Sequence, residues 1–138
     1  MTPAALRVGD HLSFRKTLTV AEQAMYTGIS GNMAPLHVDR RAAAEAGFAQ
    51  ALAFELIAVA LATTALDRLA GPGWRLGGLA IDFTRPVLVG ETIESRVEVL
   101  EATATRAAFD VRCTTADGEV TVRGTATLVP VHAARPRD

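Results

Sequence analysis

Three side chains in the first half of the sequence could take part in proton transfer or water binding. His37 lies in the segment Ser-Gly-Asn-Met-Ala-Pro-Leu-His-Val-Asp, residues 30–39, and a neutral imidazole can accept a proton near pH 7. Asn32 can hold a water or a hydroxyl group, but a carboxamide has no accessible proton equilibrium. Glu55 stands just before a long apolar run. These residue types favour acid–base chemistry at His37, with Asn32 or Glu55 beside it.

Each of the three also has an ordinary structural explanation. A lone histidine is often a packing residue, and an asparagine in a loop commonly bonds its own local backbone to form a turn. A carboxylate at the start of a helix commonly satisfies free backbone N–H groups. The choice between structure and chemistry therefore depends on the elements that place these residues.

The chain is organised around one long helix, which we predict from about Leu52 to Ala70. From Leu56 to Leu66 every residue is Leu, Ile, Val, Ala or Thr, so no polar face is available and we expect the helix to be buried on all sides. The uncharged run is 11 residues long, whereas a membrane span needs about 20. The pattern therefore predicts a core helix with small residues that let a sheet approach closely.

Periodicity predicts the remaining elements. A period of two indicates strands, and Asp117-Gly118 is typical of a hairpin turn between the last two. Thr19 and Glu22 have the spacing of a capping box, and Asp39 can cap a second short helix. We read residues 30–37 as an ordered loop. The predicted strands are 11–18, 76–84, 91–102, 105–115 and 119–130, and the predicted shorter helices are 19–27 and 40–46. This order is typical of an α+β domain whose sheet wraps the apolar helix.

Composition limits the possible partners. The 138 residues, 49% hydrophobic, suit a single domain, which we place at residues 1–131, followed by a disordered polar tail at 132–138. Fourteen basic and 15 acidic residues give a net charge of −1 and no basic patch, so we expect no nucleic-acid partner. Cys113 is the only cysteine, which excludes an internal disulfide framework and a cysteine-based zinc site, and its place in a predicted strand indicates a small core residue. The first residues lack a secretory signal, so we expect a soluble cytoplasmic protein without a membrane partner.

The element order and several motifs resemble the hot-dog fold of the MaoC-like acyl dehydratases, which include the (R)-specific enoyl-CoA hydratases. The resemblance runs from Val8-Gly-Asp10 through Phe83-Thr-Arg-Pro-Val87 and Gly90-Glu-Thr92. Its most specific part is segment 30–39, which is similar to the family motif Ser-Gly-Asp, any residue, Asn-Pro-Leu/Ile-His and an Asp two residues on. The resemblance implies a single hot-dog domain, an antiparallel sheet around a long central helix.

In that family an Asp and a His flank a thioester-activated substrate, and a backbone N–H at the head of the central helix polarises the thioester carbonyl. The sequence departs from the pattern at three places: Asn32 replaces the Asp, Ala34 replaces the Asn, and Phe54-Glu55-Leu56 replaces His-Gly-Met. His37, Pro35 and Gly31 match. The resemblance makes His37, Asn32 and Glu55 candidate catalytic residues. It makes Gly31, Pro35, Phe54 and Leu56 candidate substrate-binding residues.

Three functions follow from this pattern. The first is hydration of an enoyl thioester, or the reverse dehydration, with coenzyme A or an acyl carrier protein as carrier. The second is a thioesterase in which Glu55 or an Asn32-held water attacks. The third is a non-catalytic subunit that binds acyl groups or completes a partner's site. No metal-ligand cluster or glycine-rich phosphate loop occurs, so we expect no tightly bound cofactor. A sheet wrapped on one helix leaves an edge uncovered, which predicts a homodimer or a dimer of dimers.

Overall fold

The computed structural model describes residues 3–132, which form five strands and four helices. The strands are β1 (His11–Thr17), β2 (Trp74–Phe83), β3 (Thr92–Ala102), β4 (Ala107–Thr115) and β5 (Val120–Pro130). The helices are α1 (Val20–Ser30), α2 (Pro35–Val38), α3 (Arg40–Glu45) and α4 (Glu55–Ala70). Of the predicted tail, residues 133–138 lie outside the described part of the chain.

The five strands form one antiparallel sheet in the order β1-β3-β4-β5-β2. Helix α4 packs against β1, β2, β3 and β4. The α+β prediction, an antiparallel sheet around a long central helix, is confirmed. Within the described residues β2 pairs only with β5, so β2 and β1 form the two edges of the sheet.

The alternation of residue types decides which face of the sheet meets α4. Along β3, Ile93, Val97 and Val99 are buried, whereas Arg96 between them is exposed. Val97 lies opposite Val111 of β4 in the antiparallel register. The apolar residues of every second position therefore make the core, and the charged residues stay on the wet face, as the sequence predicts.

Helix α4 begins later than predicted and is not buried on all sides. It starts at Glu55 rather than near Leu52 and ends at Ala70. One face is buried against the sheet, but Leu56 is 52% exposed and Ala60 is exposed as well. The expectation of complete burial is wrong for the described chain. A uniformly apolar run shows that a helix can be buried, but it does not show how many faces of that helix the rest of the chain covers. The exposed strip of α4 can contact another protein surface.

The helix before the candidate site is capped as predicted but ends later. The Thr19 side chain accepts from the Ala21 N–H, while the backbone N–H of Thr19 donates to Glu22 across 2.7 Å. Hydrogen bonds from the Thr19 hydroxyl and from the backbone lower the pKa of Glu22 to about 2. We predicted that α1 would stop near Gly28, yet it continues to Ser30, and Gly31 ends it in the left-handed region with φ 72°.

A buried polar contact ties α4 to the sheet. The Cys113 sulfur lies 3.0 Å from the Ser95 hydroxyl, and the same hydroxyl donates to the Ala58 carbonyl of α4 across 3.4 Å. Burial raises the pKa of the Cys113 thiol. The prediction that Cys113 is a small core residue is confirmed.

Neither a membrane-spanning helix nor a cluster of metal-binding side chains is present within residues 3–132. No helix there is long and apolar enough to cross a membrane. No group of three or more His, Cys, Asp or Glu side chains in that range is arranged to hold a metal ion.

Candidate active site

The segment that carries His37 is folded by its own short polar side chains. Ser30 at the end of α1 donates its hydroxyl to the Tyr26 carbonyl across 2.7 Å and accepts from the Asn32 N–H across 3.1 Å. Pro35 then occupies the first position of α2, where its missing N–H costs nothing. Residues 35–37, which we read as loop, therefore belong to the short helix α2, with His37 in its last turn.

The structure uses Asn32 as a turn former. Its side-chain oxygen accepts from the Ala34 N–H across 3.0 Å, and its backbone carbonyl accepts from the Thr27 hydroxyl across 3.0 Å. Asn32 is exposed, and within residues 3–132 it shares no hydrogen bond with His37 or Glu55. Its proposed catalytic role stays a prediction. Asp39, in contrast, caps α3 by accepting from the Arg41 N–H, as predicted.

His37 has one ring nitrogen committed and one open. The Nδ1 atom lies 2.8 Å from the Leu52 carbonyl oxygen. Because a carbonyl can only accept, Nδ1 carries the proton, and in the neutral ring Nε2 must be the acceptor. The His37 side chain is 11% exposed, so the ring is held rather than solvated. This arrangement presents an unprotonated nitrogen, the form that a general base needs.

Glu55 faces that open nitrogen. Its carboxylate oxygen lies 3.7 Å from His37 Nε2, which is too long for a direct hydrogen bond but within ion-pair range. A gap of this size lets one small polar atom, such as a water oxygen, touch both groups. Glu55 is half exposed and occupies the first position of α4. The pair can therefore bind a water and remove a proton from it.

The head of α4 also provides unused backbone donors. In the part of the chain that the structure describes, the N–H groups of Glu55 and Leu56 have no protein acceptor. Helix N-termini carry partial positive charge and suit an oxygen that gains negative charge. A thioester carbonyl placed there would be polarised without any rearrangement of the protein.

Phe54 fixes the orientation of the His37 ring. Phe54 is 2% exposed, and its ring stacks on His37 and on Tyr26, with centroid distances of 4.4 Å in both cases. Stacked aromatic pairs typically contribute about 0.5–1.5 kcal/mol beyond area burial. Phe54 therefore contacts a catalytic candidate directly.

His37 and Glu55 each line a cavity, but not the same one. Glu55 lines a cavity of about 250 Å³ whose other walls are largely apolar and include Ala58, Phe83 and Val122. His37 lines a second, more open cavity of about 520 Å³ that also contacts Gln50. Gly31, Pro35 and Leu56 line neither cavity. The apolar cavity beside α4 can accept a hydrocarbon chain whose reactive end lies near Glu55.

Sequence reasoning missed one residue of this site. Gln23 on α1 is 7% exposed and contacts both the His37 segment and the head of α4 through hydrogen bonds. Its position in the sequence gives no signal, because a glutamine inside an amphipathic helix ordinarily faces solvent. Tyr26 of α1 stacks on Phe54 and so supports the same ring arrangement.

Known proteins show the same fold and related sequences. The family model described as MaoC like domain matches residues 4–123. A 3-hydroxybutyryl-CoA dehydratase from Methylorubrum extorquens is 29% identical over 96% of this chain and 85% of its own length. An (R)-specific enoyl-CoA hydratase from Aeromonas caviae is 29% identical over 93% of this chain and 98% of its own length. The solved structure of an R-hydratase from Pseudomonas aeruginosa superposes with a TM-score of 0.85 at 26% identity, covering 96% of this chain and 91% of the other.

Proposed function

Because the chain belongs to the MaoC-like dehydratase family, we propose that it hydrates an enoyl thioester or catalyses the reverse dehydration of a 3-hydroxyacyl thioester. The observation that carries this proposal is the 3.7 Å approach of Glu55 to His37 Nε2 beside an apolar cavity. The relatives named as hydratase and dehydratase act on coenzyme A thioesters, which supports the same substrate class here. An acyl carrier protein is the other possible carrier.

The proposed reaction needs one proton to move from water to carbon. His37 Nε2 removes a proton from a water that also donates to the Glu55 carboxylate, and the water oxygen bonds to the β-carbon of the enoyl group. The carbon–carbon π electrons move toward the thioester carbonyl, which becomes an enolate oxygen. The imidazolium then returns its proton to the α-carbon. Dehydration follows the same steps in reverse.

The helix head stabilises the charge that develops. The free N–H groups of Glu55 and Leu56 can donate to the enolate oxygen. A carboxylate so near an oxyanion would normally repel it. Here the Glu55 side chain lies against His37, which is positively charged at the moment the enolate exists, so the two charges compensate. Glu55 thereby takes the part that an Asp at position 32 plays in the family.

The cavity supports a short acyl group. Its volume of about 250 Å³ lies below the usual range for ligand pockets, which is about 300–1,000 Å³. We propose that Phe54 and Leu56 frame the acyl group at the helix head and that Gly31 and Pro35 shape the loop above it. The carrier itself supplies the thioester, so the reaction requires no separate bound cofactor.

The experiment measures two reactions on the same protein. Hydration of crotonyl-CoA and thiol release from several acyl-CoAs are compared for the native chain, Glu55→Gln and Asn32→Asp. We expect hydration in the native chain and a loss of about 10²-fold or more in Glu55→Gln, because an uncharged carboxamide cannot stabilise the imidazolium that forms at His37. Asn32→Asp should change hydration by only a few-fold. A gain of about 10²-fold in Asn32→Asp would instead assign the water to position 32.

A thioesterase is the second candidate, and the half-exposed carboxylate of Glu55 beside the cavity is the observation that favours it. In that case thiol release would occur in the native chain and disappear in Glu55→Gln, which keeps the size of the side chain but removes its charge. If acyl-CoA binds and neither reaction occurs, a non-catalytic acyl-binding or partner subunit replaces both enzyme proposals.

We also propose that two copies associate, as a homodimer or a dimer of dimers in the cytoplasm. The edge strand β2 exposes Leu76, Leu79 and Phe83, and the outer strip of α4 exposes Leu56. Edge strands with apolar side chains favour pairing with another chain. Phe83 also lines the apolar cavity, so a partner at this edge would lie beside the substrate. Light scattering at micromolar concentration should give twice or four times the chain mass, and a monomer would contradict the proposal.

A further inference from the structure

We propose that Gln23 is a positioning residue that sets the tautomer of His37 and the distance between His37 and Glu55. This inference rests on the proposed function for its effect on rate, but its structural part can be tested without any activity. Gln23 is on α1, which contributes no other hydrogen bond to the head of α4 among the described residues. It does not line the proposed substrate cavity, and within residues 3–132 it shares no hydrogen bond with the Glu55 side chain.

The buried carboxamide joins three separate segments. Its Nε2 donates to the carbonyl of His37 and to the carbonyl of Leu52, both across 3.0 Å. Its Oε1 accepts from the Phe54 N–H across 2.9 Å. Both of its N–H groups and one of its oxygen lone pairs are therefore used. A buried carboxamide with this set of partners fixes α1, the end of α2 and the start of α4 against one another.

The Leu52 carbonyl makes Gln23 relevant to the His37 ring. That oxygen accepts from Gln23 Nε2 and from His37 Nδ1, which lies 2.8 Å away. Gln23 thus holds in place the acceptor that keeps the imidazole proton on Nδ1. If the carbonyl turned away, the proton could move to Nε2, and the nitrogen facing Glu55 would no longer be a base.

The other end of the carboxamide acts on Glu55. Phe54 is the residue directly before α4, and its N–H belongs to the peptide that joins it to Ala53. The Phe54 side chain makes no capping hydrogen bond. By accepting from this N–H, Gln23 fixes the peptide that leads into Glu55. One side chain therefore controls both members of the pair, the His37 ring through Leu52 and the Glu55 backbone through Phe54.

Two substitutions separate the donors from the acceptor. Gln23→Glu keeps the size and an acceptor for the Phe54 N–H but removes both donors. Gln23→Leu removes all three hydrogen bonds. The matched control is Gln50→Leu, because Gln50 lines the same second cavity as Gln23 but its side chain makes no hydrogen bond within residues 3–132.

The first readout is the protonation pattern of the His37 ring by ¹⁵N nuclear magnetic resonance, above the pH at which the ring loses its charge. The native chain and Gln50→Leu should show His37 with its proton on Nδ1 alone. Gln23→Glu and Gln23→Leu should show a mixture of the two tautomers. The second readout is crotonyl-CoA hydration, where both Gln23 variants should lose on the order of 10²-fold in kcat with KM little changed.

The outcomes distinguish the two proposals. An unchanged tautomer in a folded Gln23→Glu variant would overturn the positioning role, whatever the activity. A changed tautomer in the Gln23 variants, together with a native chain that hydrates nothing, would support the positioning role while the hydratase proposal fails. If Gln23→Leu does not fold, the isosteric Gln23→Glu variant alone decides the question.

Discussion

The two ends of α4 have different surroundings. Toward its C-terminus, Ala62, Ala65 and Leu66 lie in one buried apolar cluster with Phe109 and other residues of the sheet. Its first turn adjoins His37, Glu55 and the buried amide of Gln23. One end of the same helix therefore contributes mainly to stability, and the other is built to place polar groups. Substitutions should separate these contributions.

The largest expected effect is at the polar end. His37→Gln keeps a donor for the Leu52 carbonyl but removes the base, so we expect crotonyl-CoA hydration to fall by about 10³-fold. The urea-unfolding midpoint should fall only slightly, because the stack of the ring on Phe54 that is lost contributes about 0.5–1.5 kcal/mol. Steady-state kinetics and urea unfolding on the same preparation test both statements. If His37→Gln is inactive because it is unfolded, the polar end of α4 also contributes to stability, and the proposed difference between the two ends is wrong.

The next effect belongs to the sheet. Gly124 of β5 lies opposite Ile81, and a Cβ placed there would be 2.0 Å from the Ala80 carbonyl oxygen. Gly124→Ala should therefore destabilise the fold by about 3 kcal/mol, because backbone cannot move aside cheaply. Gly78→Ala is the matched control, since its Cβ would meet the Thr127 side chain only at 3.8 Å. Equal unfolding free energies for the two variants would contradict this account of the packing.

The smallest effect is a pH dependence at α1. The folded pKa of Glu22 is about 2, below its ordinary value of 4.5, so the ionised group stabilises the folded chain. That contribution is complete above about pH 4.5 and is lost as the pH falls toward 2. The difference in Tm between the native chain and Glu22→Gln should therefore shrink over that range. A difference that stays constant from pH 6 to about pH 2 would contradict the capping contribution.

Much of the core end could be predicted from sequence because its signals are local. The alternation along β3, the apolar run of α4 and the Asp117-Gly118 turn each reveal their element without knowledge of the rest of the chain. Local signals also explain the errors. Gly28 and Gly31 look alike in sequence, but only Gly31 adopts a positive φ, so only it ends α1.

The polar end could be predicted only in part. The Pro-Leu-His motif and the resemblance it carries identified His37, and Glu55 was a candidate because it stands at a helix head. The 3.7 Å distance between them depends on the tertiary structure, because the two residues are 18 positions apart with α3 between them. Gln23 lies 31 positions from the Phe54 N–H that it accepts from. No periodicity or spacing rule connects residues so far apart.

The placement of two aromatic residues gives this chain its own optical reporters. Tyr26, the only tyrosine, stacks on Phe54 at the start of α4, and Trp74, the only tryptophan, is buried just beyond the other end of the helix, where its indole donates to the Ala4 carbonyl. The 16 residues of α4 separate them by about 24 Å. Their near-ultraviolet signals therefore follow opposite ends of the helix. Opening of the polar end alone would alter the tyrosine signal while the tryptophan signal stays unchanged.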